Sequence, residues 1–227
     1  MYPSTDPRSA LAAPTAAPLP DRYAAADYVK FYELPPAVPQ ERASTWLARG
    51  QHFVIAYTDG HEGATLDRSA QPDEYVVLLP EAGPGVEITW NGRHQTVAGH
   101  SIAFVPGGDS TVTLRGSTRV VRMFTTRATD LAALCANASS YAEPHPNVAP
   151  FQAWPDAATG PAIRAYSLDV AATDGRFGRI FRCSTFMVNV LDPKHGPRDP
   201  SKMSPHHHDD FEQCSLALAG TFVHHLR

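Results

Sequence analysis

The chain has 227 residues, 43% of them hydrophobic, with a formal charge of −4 and a pI near 6.2. This is enough apolar material for one large core or two modest ones. The absence of a basic stripe argues against nucleic acid as a partner. No apolar run approaches the ~20 residues of a membrane-spanning helix, and the first residues lack the basic and apolar regions of a signal peptide. We therefore expect no membrane partner.

The three cysteines, Cys135, Cys183 and Cys214, are odd in number, widely spaced and set in apolar surroundings. This pattern indicates buried thiols and not a disulfide framework. It favours a reducing compartment, and we predict a cytoplasmic protein.

The first 44 residues are rich in proline: eight of the chain's 21 prolines precede residue 41. Proline fixes φ and removes a backbone donor, so helices and central strands are disfavoured there. We predict an extended or disordered arm over residues 1–44.

Short strand-like segments follow, separated by Gly and Pro turns. Asn91–Gly92 is the strongest hairpin signal, because both residues accept positive φ. Repeated short strands of this kind predict an all-β sandwich or barrel. A short helix over 130–137 closes this unit. The predicted strands lie at 51–57, 74–79, 86–90, 93–97, 101–105, 110–114 and 119–125.

The chemistry of the sequence is concentrated near its C-terminus, in the run from Pro205 to Gly220. On an extended backbone, His206 and His208 point to one face. Glu212 shares the parity of three apolar residues, Cys214, Leu216 and Leu218, so we expect its side chain to turn into a barrel on a strand. Two imidazoles and one carboxylate leave open positions on a divalent ion, as in non-haem iron oxygenases, although Mn, Ni and Zn also suit such ligands.

This stretch, His-x-His-x3-Glu-x7-Gly, resembles the first motif of the cupin superfamily. The resemblance implies double-stranded β-helix (jelly-roll) barrels with a metal held by His206, His208 and Glu212. Gln213 occupies the slot of the glutamate in many relatives, so it stays open as a ligand or substrate contact.

An internal repeat indicates a second, degenerate unit upstream. The segment Glu74–Gly83 parallels the segment that begins at Glu212. This alignment places Arg68 and Ala70 opposite the two histidines, and Thr111 stands where the second cupin motif has a histidine. We therefore expect no metal in this first unit.

The resemblance divides the chain into four parts. After the arm come a metal-free cupin barrel over 45–137, a proline-rich linker over 138–161, and a partial metal-type cupin over 162–227. Extended segments are predicted at 162–168 and 179–190. A small barrel needs about eight strands, and the last part is too short for them. A truncated product, a half-barrel completed by a partner chain and a covering role against the first barrel all remain open.

The leading functional hypothesis is a metal-dependent cupin enzyme acting on a small polar or aromatic molecule. The resemblance implies dioxygenase, decarboxylase or isomerase chemistry, with iron as the favoured metal, and identifies no general base. The alternative is a bicupin that binds a ligand or dimerises without turnover. A homodimer is predicted in either case.

Overall fold

The computed structural model describes residues 26–146, 148–171, 178–191, 195–196 and 212–220. This part contains thirteen strands, one short α-helix and two 3-10 helices. The strands are β1 Val38–Pro39, β2 Ala43–Arg49, β3 Phe53–Gly60, β4 Thr65–Gln71, β5 Tyr75–Leu79, β6 Val86–Trp90, β7 Arg93–Val97, β8 Ser101–Val105, β9 Gly108–Leu114, β10 Thr118–Thr125, β11 Arg164–Ser167, β12 Arg179–Arg182 and β13 Met187–Val190. The helices are α1 Thr129–Ala133 and the 3-10 helices Phe31–Glu33 and Ala138–Tyr141.

Eight consecutive strands, β3 to β10, form a jelly-roll barrel. Strands β3, β10, β5 and β8 pair in that order, and the facing sheet has the order β4, β9, β6, β7. All these pairings are antiparallel. Strands β2 and β1 extend the first sheet beyond β3, and β11 extends it beyond β8, which makes seven strands. The predicted all-β jelly-roll fold is confirmed.

The two sheets differ in how they are buried, and the sequence shows why. Strands of the four-stranded sheet alternate between buried and more exposed positions, because one face meets the core and the other meets solvent. In the seven-stranded sheet, β5 and β8 are buried at every position. Their sequences, Tyr-Val-Val-Leu-Leu and Ser-Ile-Ala-Phe-Val, are almost wholly apolar. Both faces of this sheet are therefore covered.

The outer face of the seven-stranded sheet is covered by the later part of the chain. Its apolar side chains form a core of their own, separate from the barrel interior. Leu168 and Cys183 are buried in it, and side chains from β12, β13 and the 212–220 segment pack against it. The sheet contributes Ile55, Val76, Leu78, Ile102, Phe104, Val121 and Met123.

The predicted hairpin at Asn91–Gly92 is confirmed. Trp90 pairs with Arg93 across a two-residue turn, and Asn91 and Gly92 have φ of 47° and 71°. The turn therefore has the left-handed backbone that this dipeptide favours. The helix predicted over 130–137 is real but shorter, ending at Ala133.

The strand predicted after Glu212 is not formed: residues 212–218 have no regular secondary structure. The segment predicted at 179–190 is two strands, β12 and β13, that pair as a hairpin. Strand β11, from the predicted second unit, pairs with β8 of the first barrel. These contacts fit the covering role, and the division into two cupin units stays a prediction.

The arm predicted over 1–44 is described from residue 26 onward, where it lies against the barrel. The Phe31 ring stacks on Tyr57 at 5.8 Å, and the Trp46 indole donates to the carbonyl of Leu34. Val38 pairs with Thr45 in the sheet. Among all described residues, no helix has the length and apolar content to cross a membrane.

Candidate functional site

Of the three predicted metal ligands, the structure describes Glu212 alone; His206 and His208 lie outside the described residues. The two carboxylate oxygens of Glu212 accept hydrogen bonds from the backbone N–H groups of Gln51 and His52, both at 2.7 Å. These residues form the turn between β2 and β3. Glu212 therefore fastens the C-terminal segment to one end of the first barrel.

This geometry departs from the expectation of an inward-facing carboxylate. Leu216 and Leu218 do share a face, but they pack on the outer side of the seven-stranded sheet. The Arg119 guanidinium donates to the carbonyl of Leu218 at 3.0 Å and holds the segment there. Gln213 and Cys214 are exposed. The apolar alternation was correct, but the surface it covers is a sheet face and not a barrel lumen.

The described residues do not themselves make up a metal site. Within them, no three His, Cys, Asp or Glu side chains lie close enough together to hold an ion. The oxygens of Glu212 already serve as acceptors for backbone donors, so the described part of the motif fits a clasp better than a ligand. The metal set His206, His208 and Glu212 stays a prediction.

Glu74, the repeat partner of Glu212, also ties the later chain to the barrel. Its carboxylate accepts from the Arg164 guanidinium at 2.5 Å and from the N–H of Ser184 at 2.8 Å. It therefore binds groups outside the barrel. The next residue, Tyr75, is the one that enters the barrel interior, where its side chain is fully buried.

A hydrogen-bonded chain of polar side chains lies where the repeat alignment places the eroded metal motif. The Arg68 guanidinium binds both carboxylate oxygens of Asp130, at 2.6 and 3.1 Å. Its Nε donates to Gln71 at 2.9 Å, and the Gln71 amide donates to Asp73 at 3.2 Å. The Thr125 hydroxyl completes the chain, donating to Asp73 at 2.6 Å. An arginine thus stands in the slot of the first motif histidine, and it already has a counter-ion.

Asp73 is the more buried of the two acids in this series of hydrogen-bonded side chains. Burial raises the pKa of its carboxyl group, and the hydrogen bond from Thr125 opposes that shift. At the opposite end of this hydrogen-bonded series, the hydrogen bond from Arg68 holds the pKa of Asp130 below its usual value. The two carboxylates therefore respond to their surroundings in opposite directions.

A second guanidinium, that of Arg122, lies inside the barrel without such a partner. Its Nε, the guanidinium nitrogen bonded to Cδ, is buried and has no hydrogen-bond partner among the described residues. Its Nη1 donates to the carbonyl of Leu66 at 3.4 Å, which is a long contact. The guanidinium also lies 5.4 Å from the centre of the Phe124 ring, and Arg68 lies 5.3 Å from the same ring. Two cations thus lie near one aromatic ring.

Burial is the main cause that lowers the pKa of Arg122 to about 10; the charge of Arg68 also lowers it, and Tyr75 and Asp67 oppose the shift. A pKa of about 10 still leaves the side chain cationic at neutral pH. An isolated charge removed from water is costly unless a counter-charge is close. The arrangement is therefore suited to receiving an anion.

Arg122 lines a cavity of about 110 Å³ that is partly open to solvent on the side of Gln40 and Asp67, both exposed. The cavity lies between β1, β2, β4, β10 and α1, on the inner side of the seven-stranded sheet. Its wall is mixed, with polar and aliphatic side chains. The lining residues are Val38, Gln40, Thr45, Leu47, Leu66, Asp67, Arg122 and Leu131.

Arg122 was missed by the prediction, although the sequence carries a signal for it. In the predicted strand 119–125, Val120 and Phe124 share one face, while Val121 and Met123 share the other. An arginine on a strand that is apolar on both faces is an anomaly, because charged residues are almost never fully buried without a partner. That anomaly marks the candidate site.

The chain is similar to several solved structures. One is that of KdgF from Halomonas sp., at 12% identity over 47% of this chain and 98% of that chain, with a TM-score of 0.40. A second is an RmlC-like cupin from Shewanella frigidimarina, at 12% identity over 46% of this chain and 96% of that one, with a TM-score of 0.39. A third is a salicylate 1,2-dioxygenase from Pseudoaminobacter salicylatoxidans, at 9% identity over 44% of this chain, with a TM-score of 0.36.

The match to the salicylate dioxygenase spans 29% of that enzyme. No family model and no curated protein matches the chain. The similar structures include proteins described as cupins. At these identities the likeness concerns the fold alone.

Proposed function

We propose that the first barrel is a ligand-binding module that holds a small molecule inside its cavity without turnover. The observation that carries this proposal is that Arg122, whose buried Nε has no hydrogen-bond partner among the described residues, lines a partly open cavity. A binding site of this kind needs a concave space and a few polar groups that orient the ligand. Both are present on the inner side of β10.

The contrast with Arg68 supports a binding role. Arg68 is bound by Asp130 in a two-point contact, so its charge is compensated within the chain. Arg122 lies 5.4 Å from the Phe124 ring but lacks a carboxylate partner among the described residues. A ligand that supplies the missing partner offsets the desolvation cost of the buried Arg122 guanidinium.

A thermal-shift screen of small metabolites tests this proposal. The matched variant is Val38→Phe, because Val38 is half-buried on the two-residue edge strand β1 and lines the cavity. We expect the phenyl ring, which is larger than the valine side chain, to fill the cavity and to leave the rest of the barrel unchanged. Ligands that stabilise the original chain, and not Val38→Phe, support binding inside the barrel. Stabilisation of both proteins to the same extent would place the ligand elsewhere.

The second candidate is the metal-dependent cupin enzyme, which the His-x-His-x3-Glu motif favours. His206, His208 and Glu212 would hold the divalent ion, with iron favoured over Mn, Ni or Zn. Such an ion polarises a substrate carbonyl or carboxylate, or activates dioxygen. Binding would require Glu212 to share its oxygens between the ion and the turn at Gln51 and His52.

Elemental analysis of protein purified without a histidine tag tests this candidate. We expect near-stoichiometric metal in the original chain and its loss in the His206→Ala, His208→Ala double variant. A well-folded sample without metal would contradict the metal-dependent enzyme and favour the ligand-binding module. The homodimer stays a prediction, which sedimentation of the full chain and of a chain lacking 213–227 would check.

A further inference from the structure

We infer that the ligand of the first barrel is a small monocarboxylate with a short aliphatic tail, bound by the guanidinium of Arg122. This inference rests on the proposed function and narrows it to one chemical class. Its supports are the charge, the wall and the size of the cavity.

The charges around the cavity favour a ligand with a single negative charge. Arg68 and Arg122 supply two cations near the Phe124 ring, and Asp130 compensates the first. Asp67 is exposed, and its carboxylate accepts from the Thr111 hydroxyl, so solvent weakens its hold on Arg122. One buried cation therefore remains without a close partner.

The donor set distinguishes a carboxylate from other charged ligands. A guanidinium has planar, forked donors that match the two oxygens of a carboxylate. Phosphate and sulfate recognition usually draws on several donors, such as a cluster of backbone N–H groups or a second free cation. Here Arg68 is already engaged by Asp130. A divalent cation is repelled by the charge of Arg122 itself.

The rest of the wall suits a short hydrocarbon tail. Four of the eight lining residues are aliphatic: Val38, Leu47, Leu66 and Leu131. The Thr45 hydroxyl is hydrogen-bonded to the Thr58 hydroxyl at 2.8 Å, so it is less available to a ligand. A tail placed against these side chains removes apolar surface from water.

The cavity volume of about 110 Å³ limits the ligand to a few atoms. An engineered protein cavity of about 150 Å³ is large enough for benzene, which has six carbons. The space here therefore suits about four to six non-hydrogen atoms, the range from acetate to butyrate. An aromatic acid has too many atoms for this volume to hold whole.

Calorimetric titration of the full chain with propionate tests the inference, using propionamide as the uncharged analogue and inorganic phosphate as the competing anion. We expect propionate to bind with a dissociation constant between about 10 µM and a few mM, because so few atoms limit the affinity. Propionamide should bind at least about tenfold more weakly, since it lacks the charge that strengthens the bond to Arg122. Phosphate should give no saturable signal.

Two variants locate the site. Arg122→Met removes the charge at similar length, and Arg115→Met is the matched control, because Arg115 is exposed and outside the cavity. We expect propionate binding to be lost in the first and kept in the second. If Arg122→Met does not fold, Val38→Phe keeps the guanidinium but fills the space, and it should also lose binding.

The outcomes separate this inference from the function it rests on. Equal binding of propionate and propionamide, both lost in Val38→Phe, would overturn the carboxylate and keep the ligand-binding barrel. Binding of propionate that survives both Arg122→Met and Val38→Phe would overturn the assigned site. A cavity that takes up water alone, with no organic ligand in the screen or the titration, would overturn both proposals.

Discussion

The two faces of the seven-stranded sheet are buried in different ways. The outer face presents a continuous cluster of apolar side chains, with Arg119 and Arg164 among its partly exposed contacts, and later segments of the chain cover it. The inner face carries buried polar groups among its apolar ones, including Thr58, Tyr75 and Arg122. A protein core is most stable when apolar and well packed, so polar groups retained at the cost of stability point to function. The contrast supports the inner face as the proposed place of binding.

The largest expected effect comes from emptying the outer face. Phe104 is fully buried there, with the Tyr166 ring and the Arg164 guanidinium against it. Phe104→Ala should lower the free energy of unfolding by about 3–5 kcal/mol, because it leaves a cavity in a packed apolar layer. Urea denaturation measures this loss, and Phe104→Leu should lose less. Ligand binding inside the folded barrel should persist, and a selective loss of binding would contradict the separation of the two faces.

A change of the opposite sign is expected on the inner face. Arg122→Met should raise the free energy of unfolding by about 1–3 kcal/mol in buffer without carboxylates, because it removes a buried charge that lacks a counter-ion. Arg68→Met should instead lower it by about 1 kcal/mol, since Asp130 and Gln71 lose their partner. Denaturant titrations of both variants compare the two arginines directly. A marked loss of stability in Arg122→Met would show that its charge is compensated.

The clasp between the two parts of the chain should give a smaller effect. Glu212→Ala removes both acceptors of the Gln51 and His52 N–H groups and should cost about 1–2 kcal/mol. Glu212→Gln keeps one acceptor oxygen and should cost less. Hydrogen exchange at the amides of Gln51 and His52 should become faster in the alanine variant. Unchanged exchange there would rule out the clasp in solution.

The smallest effect concerns the pH dependence of the Arg68–Asp130 pair. Because Arg68 lowers the pKa of Asp130, the pair stabilises the fold above the unfolded pKa of about 3.8, and this contribution is lost as pH falls through the lower, folded value. Asp130 is 62% exposed, so the contribution is below about 1 kcal/mol. The stability gap between the original chain and Asp130→Asn, followed from pH 6 to pH 3, should shrink. A constant gap would contradict this assignment.

Much of the barrel was predictable because its signals are local. The hairpin at Asn91–Gly92 follows from two residues that accept positive φ, and the runs that form β5 and β8 are apolar throughout. Strand β4 was missed, because Asp67, Arg68 and Ser69 give it a polar sequence. Its one arginine that points inward has a partner, Asp130, which lies far away along the chain.

The site was less predictable than the fold, for a physical reason. Alternation at Leu216 and Leu218 correctly indicated one buried face, but periodicity does not say which surface will cover it. The outer face of a neighbouring sheet and the lumen of a barrel produce the same pattern. The orientation of Glu212 depends on the backbone of Gln51 and His52, and no local rule links residues so distant in sequence.

The covered outer face of the seven-stranded sheet has a practical consequence for dissecting the molecule. A fragment that ends within residues 138–161 would keep all eight jelly-roll strands, but it would expose Val76, Ile102 and Phe104 to water. Such a large exposed hydrophobic surface promotes self-association. A shorter version intended for crystallisation or binding assays therefore has to retain the downstream wrapping, or carry polar replacements on that face.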